Sequence, residues 1–432
     1  MTDAKLLMAF EVTDSSHTLE AYRARGGYKA LSKALTQMQP ADVTAEVAAS
    51  GIQGRGGAAF AMGRKWQGIN LGDGKPHYLC CNADEGEPGT FKDRWILENA
   101  PHLLVESMII SSYALGVRNC FVYIRGEFDL SYRRLQGAVE EAYAAGYLGP
   151  RVMNTGYALD LVVYRGAGAY VCGEASGLLG SVEGTRGYPR NRPPRMTVQG
   201  LYRLPTVVNN VETLSNVAWI VNNGAAAYKK IGTPKSPGTR LISISGHIVR
   251  PGVYEREFGY PFDKFVYEDC GGAPNGKPVK AVVPGGISTT VLTHEEIVGL
   301  PMDHASISAK GSALGSGGMI VIGEGTCMVR LLQVMLRFYH HESCGQCTPC
   351  REGMGWMHRI VDRIVAGHGQ PGDIERLADV SRSNDGMTIC GLGDAAGYAT
   401  LGIVGKFRDE FEHFIERGKS RFEGRLECRA SS

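Results

Sequence analysis

The sequence predicts an α/β domain with an open, mainly parallel sheet, then a small sheet domain, then a bundle of helices. Three observations carry that prediction. Short apolar runs alternate with glycine turns and helical stretches over residues 51–236, β runs punctuated by Pro and Gly replace them over 237–324, and amphipathic helical periodicity takes over at 325–420.

Residues 1–50 read as a helical segment. In AYRARGGYKALSKAL the apolar positions recur near helical spacing, and no cluster of reactive side chains accompanies them. Over 51–236 the runs HYLCC, CFVYIRG and LDLVVYRG lead into NADEGEPG, FDLSYRRLQGAVEEAYAAG and AGAYVCGEASGLLGSVEG. Strands alternating with helices in this way form a parallel sheet whose ligand sites lie where strands run out into loops. RLISISGHIVRPGVYE and KAVVPGGIS then supply the short β runs of the second part. TCMVRLLQVMLRFYHHE, MGWMHRIVDRIVAG, GDIERLADVSRS and VGKFRDEFEHFIERG supply the helices of the third, leaving 421–432 as a tail in which Cys428 is incidental.

Composition narrows the function. The 46 basic and 44 acidic residues of the 432 are interspersed, without the basic stripe that phosphate-backbone binding needs, so nucleic acid is not an expected partner. The first residues lack the basic and apolar regions of an export signal. No stretch of about eighteen apolar residues runs without a charge. The expected location is the cytoplasm. Eleven cysteines cluster in one place only, which in such a chain points to metal rather than disulfides.

That place is HHESCGQCTPCREG, where Cys344, Cys347 and Cys350 stand at two-residue gaps in a loop between the first two helices of the bundle. A cubane iron–sulfur core needs four thiolates, and one tight loop can give three. Cys390, in MTICGLGDAAG, follows two further predicted helices that can return the chain to the same end. Structural zinc is the alternative, although it usually recruits two separated pairs. His340 and His341 end a helix, where their charge is favourable, and are left out of the site.

Glycine-rich loops mark the α/β part. In GRGGAAFAMGRKW, Gly54, Gly56 and Ala59 have the spacing of a loose dinucleotide fingerprint. Amides freed by Gly54, Gly56 and Gly57 can face phosphate oxygens, with Arg55 and Lys65 adding charge. A surface turn is the competing reading. NADEGEPGTFKDR packs Asn82, Asp84, Glu85 and Glu87 after a strand, at a spacing unlike a calcium loop. Acids there suit ribityl or ribose hydroxyls, or a nicotinamide carboxamide. GAGAYVCGE is a second glycine turn, and NNVET opens a helix whose N-terminus favours phosphate. Together these loops suggest flavin plus dinucleotide.

In order and spacing, GRGGAAF, NADEGEPGTFKDR, GAGAYVCGE, NNVETL and ESCGQCTPCREG resemble the NADH-oxidising flavoprotein subunits of respiratory complex I and the diaphorase subunits of NAD-linked hydrogenases and formate dehydrogenases. The resemblance spans about residues 20–417. It implies a Rossmann-like FMN/NADH domain, a ubiquitin-like β-grasp domain and a helical bundle carrying a 4Fe–4S cluster. By position the FMN site would comprise Gly54, Arg55, Gly56, Gly57 and Lys65 from the first loop and Asn82, Asp84 and Glu85 from the acidic loop. Tyr170, Gly173, Glu174, Asn209, Asn210 and Thr213 would complete it. Phe60 would stack on NADH and Glu87 accept from its carboxamide, with Glu87 and Glu174 at the reacting centre. Cys344, Cys347, Cys350 and Cys390 would hold the cluster.

The implied function is electron entry: hydride from NADH to FMN, then single electrons through the cluster towards quinone. The implied partners are a thioredoxin-like 2Fe–2S subunit and a large multi-cluster subunit, joined to a membrane quinone-reducing complex at the inner membrane. The chain lacks the extra domains fused onto many soluble homologues, which favours complex I over a soluble diaphorase. A non-catalytic assembly subunit is the rival from another class. Two positions depart from the pattern: Ala175 replaces a common second acid after CGE, and Arg195 replaces an aromatic after the paired prolines. An acid lost and a base gained predict relaxed discrimination against NADPH, whereas Arg195 stacked on adenine would keep NADH preferred.

Overall fold

The structure, a computed structural model, describes residues 4–422. The predicted tail, with Cys428, lies outside the described residues beyond Phe422.

Helices α1 (Leu19–Ala24), α2 (Lys29–Gln37), α3 (Pro40–Ser50) and α4 (Met62–Trp66) precede the first strand. Strands β1 (His77–Ala83), β2 (Val117–Ile124), β3 (Asp160–Arg165) and β4 (Thr206–Asn210) form a parallel sheet in the order β3-β2-β1-β4. Crossovers run through α5 (Lys92–Asn99) and α6 (Pro101–Ala114), then α7 (Asp129–Ala144), then α8 (Ala175–Val182). After β4 come α9 (Val211–Asn223) and α10 (Ala225–Lys229). Strand β1 and the edge strand β4 are buried along nearly their whole length; Leu79 and Val207 are fully buried. Leu31, Val43 and Val47 of the N-terminal helices pack into the same core. The chain winds from β1 out to β3 and then returns to the other side of β1. The winding therefore reverses between β1 and β4, where a crevice opens beyond the strand ends.

A hairpin, β5 (Gly232–Thr233) and β6 (Ser236–Pro237), leads into a second sheet. Its strands are β7 (Thr239–Gly246), β8 (Gly252–Glu257), β9 (Val279–Val283), β10 (Leu292–Thr293) and β11 (Gly318–Gly323), ordered β10-β9-β11-β7-β8. Only β11 and β7 run parallel. Short helices α11 (Phe262–Lys264), α12 (His294–Ile297) and α13 (His304–Ser308) flank it, and Phe262, Phe265 and Ile307 pack with Ile242 and Val282.

The third part holds α14 (Met328–Glu342), α15 (Thr348–Arg363), α16 (Asp373–Asn384), α17 (Gly391–Lys406) and α18 (Arg408–Arg417). On α14 Val329, Leu332, Met335, Leu336 and Tyr339 make one buried stripe at helical spacing. Glycines let α17 approach its neighbours closely. A Cβ on Gly397 would lie 2.8 Å from the Ser381 carbonyl oxygen, and one on Gly402 2.3 Å from the Thr290 methyl of the second sheet's loop. That wedge brings the start of α17 to the crevice. Among the described residues no helix is long and apolar enough to cross a membrane.

Candidate functional site

The crevice is a cavity of about 380 Å³ built by all three parts of the chain. The β1 loop gives Asn82, Asp84, Glu85, Gly86, Glu87 and Thr90, and the glycine loop gives Gly56 and Ala58. Tyr170, Gly173 and Glu174 line another side, with Asn210 at the end of β4. Ser288 and Ser316 come from the second sheet, and Cys390 and Leu392 from the helical part.

Local geometry explains several of these placements. Gly57 has φ +129° with open space where a side chain would stand, so conformation rather than crowding calls for glycine. A Cβ on Gly56 would press on Asn210 at 3.1 Å. Asn82 ties the acidic loop to the second glycine turn: its amide donates to the Gly173 carbonyl at 2.8 Å, and its own carbonyl accepts the Asp84 amide at 3.1 Å. Tyr170 donates to Glu87 Oε2 at 2.5 Å. Ser288 adds its amide to Oε1 at 2.8 Å and its hydroxyl to Oε2 at 2.6 Å. Burial still raises the Glu87 carboxyl above its ordinary range, because three donors only partly offset the lost hydration.

Asp84 is the open acceptor. Its Oδ2 is buried with no hydrogen-bond partner, and burial pushes its carboxyl up to about 7. An orphaned carboxylate oxygen costs free energy unless a ligand hydroxyl meets it, so this wall fits a polyol such as the ribityl chain of FMN. Glu85 is committed differently. It caps α5 by accepting the Asp93 amide at 2.8 Å and the Arg94 amide at 3.0 Å.

Other expected residues stand elsewhere. Arg55, expected to add charge for phosphate, turns its guanidinium into the interior. There it donates to the carbonyls of Gln53 at 2.9 Å and Pro237 at 3.1 Å and lies 4.4 Å over the Phe258 ring. The Arg55 amide donates to the Thr213 hydroxyl at 2.8 Å, so Thr213 braces the loop from inside the core. Lys65 donates to the Val208 carbonyl at 2.7 Å, and burial lowers it to about 8. Neither cation lines the cavity; both donate to backbone oxygens instead, and Arg55 also reaches the Tyr228 hydroxyl at 3.2 Å. Asn209 is held by the Trp66 indole at 3.1 Å. Gly54 closes its loop onto the Phe60 carbonyl at 2.9 Å, while the Phe60 side chain is 54% exposed outside the cavity wall. Glu174, unlike these, does line the cavity; it also caps α8 through the amides of Ser176 and Gly177 and pairs with Arg192 at 2.9 Å. Arg195 is exposed on the same segment.

The cysteines gather at helix starts. Cys344 follows α14, Cys347 is the N-cap of α15, Cys350 lies in its first turn, and Cys390 is the N-cap of α17. Burial, with a smaller push from the other thiols around each, raises the Cys350 thiol to about 12 and the Cys390 thiol to about 11. Among the described residues no three His, Cys, Asp or Glu side chains close around one point as they would about a single ion. A cubane core holds its four thiolates further apart than one ion does, and helix N-termini favour its negative charge.

Among the wall residues that sequence reasoning missed are Lys92, Asp93, Ser288 and Ser316. Lys92 and Asp93 sit inside the quoted acidic motif, and their signal was a charged pair opening a helix directly after buried acids. Ser288 and Ser316 belong to turns of the second sheet and carry no local signal at all.

Comparison with known proteins shows the family. The family model of the Nuo51 FMN-binding domain matches residues 47–219, and that of the NADH-ubiquinone oxidoreductase-F iron–sulfur binding region matches 330–414. An F-type NADH-quinone oxidoreductase chain of Rhizobium meliloti is 46% identical over 422 residues, covering 98% of this chain and 100% of the relative. Its counterpart in Mycobacterium bovis is 46% identical over 417 residues, covering 95% and 93%. Among solved structures, an air-oxidized NAD+-reducing [NiFe]-hydrogenase chain superposes with a TM-score of 0.82 at 34% identity. It covers 95% of this chain, which spans 67% of the hydrogenase chain.

Proposed function

The chain belongs to the F-type family of NADH-quinone oxidoreductase subunits, and on that premise we propose how its residues take up electrons from NADH. It is an NADH dehydrogenase subunit that uses FMN and a 4Fe–4S cluster within a multi-subunit enzyme. When bound, FMN supplies two-electron acceptance from NADH and the cluster supplies one-electron transfer.

One observation carries the proposal: Cys390, a cluster ligand in this reading, lines the same cavity as Asp84, Glu87 and Tyr170. A flavin held in the cavity and a cluster held by Cys390 would share that wall. Asp84 would receive ribityl hydroxyls of FMN at its unpartnered oxygen, and the glycine loop around Gly56 and Gly57 would supply amides for the phosphate. Glu87, held by Tyr170 and Ser288, orients the carboxamide of NADH with its remaining acceptor capacity. No acid, base or nucleophile of the protein is needed for hydride transfer; its work is positioning and exclusion of water. Cys344, Cys347, Cys350 and Cys390 hold the cluster. A thioredoxin-like 2Fe–2S subunit and a large multi-cluster subunit carry electrons onward to quinone, with the chain cytoplasmic and attached to the inner membrane through them. A diaphorase role in a soluble hydrogenase or formate dehydrogenase is the second reading, supported by the 34% identity to a hydrogenase chain.

Anaerobic titration of the purified chain with NADH, followed by optical and low-temperature paramagnetic spectra, tests the proposal. Flavin bleaching with a reduced 4Fe–4S signal is expected. Bound flavin that NADH cannot bleach would overturn electron entry and favour the assembly role.

A further inference from the structure

Helix α14 ends on an acid, Glu342, just before the thiol loop. A helix C-terminus already carries partial negative charge, so this is an unfavourable place for a carboxylate. Among the described residues its one ion-pair partner is His341, at 4.0 Å, and a second acid, Asp84, feels its charge. What Glu342 reaches is a distant part of the chain: its Oε2 accepts the Tyr170 amide at 3.1 Å. Tyr170 opens the turn Tyr170–Gly173, which leaves that amide without a partner inside the turn. The bundle supplies one. The same tyrosine is fixed at its other points. Its ring stands edge-on to Phe338 of α14 at 5.2 Å and rests against Gly86, where a Cβ would lie 3.1 Å from Cδ2. Its hydroxyl donates to Glu87 and lies 3.2 Å from the Ser288 hydroxyl. Beyond Glu342 the chain runs straight to the thiols: Ser343 Oγ is 3.2 Å from Cys350 Sγ and accepts the Gly345 amide at 3.4 Å.

We infer that Glu342 is a positioning residue for the nicotinamide end of NADH: from the end of the helix that leads into the thiol loop it holds the Tyr170 turn, so that the tyrosine hydroxyl keeps the Glu87 carboxylate aimed at the carboxamide. A glutamate side chain turns about three bonds, and the direction of Glu87 is set by its donors, Tyr170 and Ser288. Ser288 belongs to the second sheet's loop, whereas Tyr170 is tied to the bundle through Glu342 and Phe338. An amide bonded to a carboxylate is a charge-assisted hydrogen bond, stronger than a neutral one. Without Glu342 the Tyr170 amide is orphaned beside the cavity, and the turn can shift to find another acceptor. The stretch from Phe338 to Cys350 thereby serves both the thiols and the acid that meets the nucleotide.

This inference rests on the reading of Glu87 as the carboxamide acceptor, and two ligands separate them. Tetrahydro-NADH keeps the carboxamide but has no hydride to give, and ADP-ribose lacks the nicotinamide altogether. Calorimetric titration of the full-length protein, loaded with FMN and cluster, reads the affinity for each. For Glu342→Ala the affinity for tetrahydro-NADH falls about tenfold, the scale of one misplaced charge-assisted hydrogen bond, while that for ADP-ribose is unchanged. Glu342→Gln, which keeps an acceptor oxygen at the same reach, restores most of the affinity. Glu342→Asp, which keeps the charge but draws it back by one methylene, shows the selective loss again and decides the matter if Glu342→Ala does not fold. Equal weakening of both ligands, or of neither, in the Ala and Asp variants overturns the inference. A selective loss in Glu87→Gln then leaves the Glu87 reading standing; if Glu87→Gln does not distinguish the two ligands, that reading falls and this inference with it.

Discussion

At the starts of α15 and α17 four thiols meet from two short stretches of chain, three of them between Cys344 and Cys350. At the ends of β1 and β4, by contrast, the cavity takes its wall from loops scattered between Gly56 and Ala395. The thiol site is specified by spacing and the cavity by packing. Where one side chain carries a ligand role outright, its loss is local and total; where a wall is shared by three layers, a single loss is graded. Cys390 belongs to both regions and is the point at which the distinction should fail.

The largest expected effect is at the thiols. Cys350→Ala should remove nearly all cluster iron while FMN content stays above about half, since structural metal sites lose most of their affinity with one ligand. Iron and acid-labile sulfide assays beside flavin fluorescence check this. Equal loss of flavin would break the comparison, and Cys390→Ala should show such a double loss in part.

Next is Asp84→Asn. The carboxyl is raised in the folded chain to about 7, so its contribution to stability is full below the unfolded value near 3.8 and is lost as pH rises through 7. The flavin-free variant should therefore gain on the parent chain between about pH 4 and 8, by on the order of 2–3 kcal/mol, while binding FMN more weakly. Denaturant unfolding across that range reads the gain; a pH-independent difference would mean that Asp84 ionises without penalty.

Glu87→Gln should lower kcat/KM for NADH about tenfold, the scale of one charge-assisted hydrogen bond, and leave FMN affinity unchanged. Steady-state rates with an artificial acceptor suffice, and loss of FMN instead would merge the two roles. The smallest effect belongs to the exposed rim: Arg195→Ala should shift the ratio of kcat/KM for NADPH over NADH downwards by about threefold, a surface-charge effect. An unchanged ratio would remove relaxed discrimination as a property of Arg195.

The same contrast explains what could be read from the residues alone. Strands β1, β2 and β3 announce themselves as apolar runs before glycine turns, and the four helix patterns after 325 repeat at helical spacing. Strand β4 is harder: TVVNN is short and its two asparagines read as a helix start, which they also are. Arg55 and Lys65 look like phosphate ligands because a sequence gives their charge but not their direction, and both point to backbone carbonyls. Ser288 escapes notice because the geometry that matters is its distance from Glu87, some two hundred residues away in the chain. Gly286 shows the same dependence. At φ +91° it carries the second sheet's loop so close that a Cβ would stand 2.3 Å from Glu87 Cγ.

The wedge of α17 against Thr290 also sets an order of events in the making of the protein. Residues 82–94 leave the ribosome long before the loop that clasps Glu87, and the helix whose Gly402 packs against that loop follows later still. A nascent chain halted before α17 has its acids assembled but lacks the far side of the vessel. The far wall of the cavity, from Ser288 and Ser316 to Cys390 and Leu392, is therefore the last part of it to be synthesised.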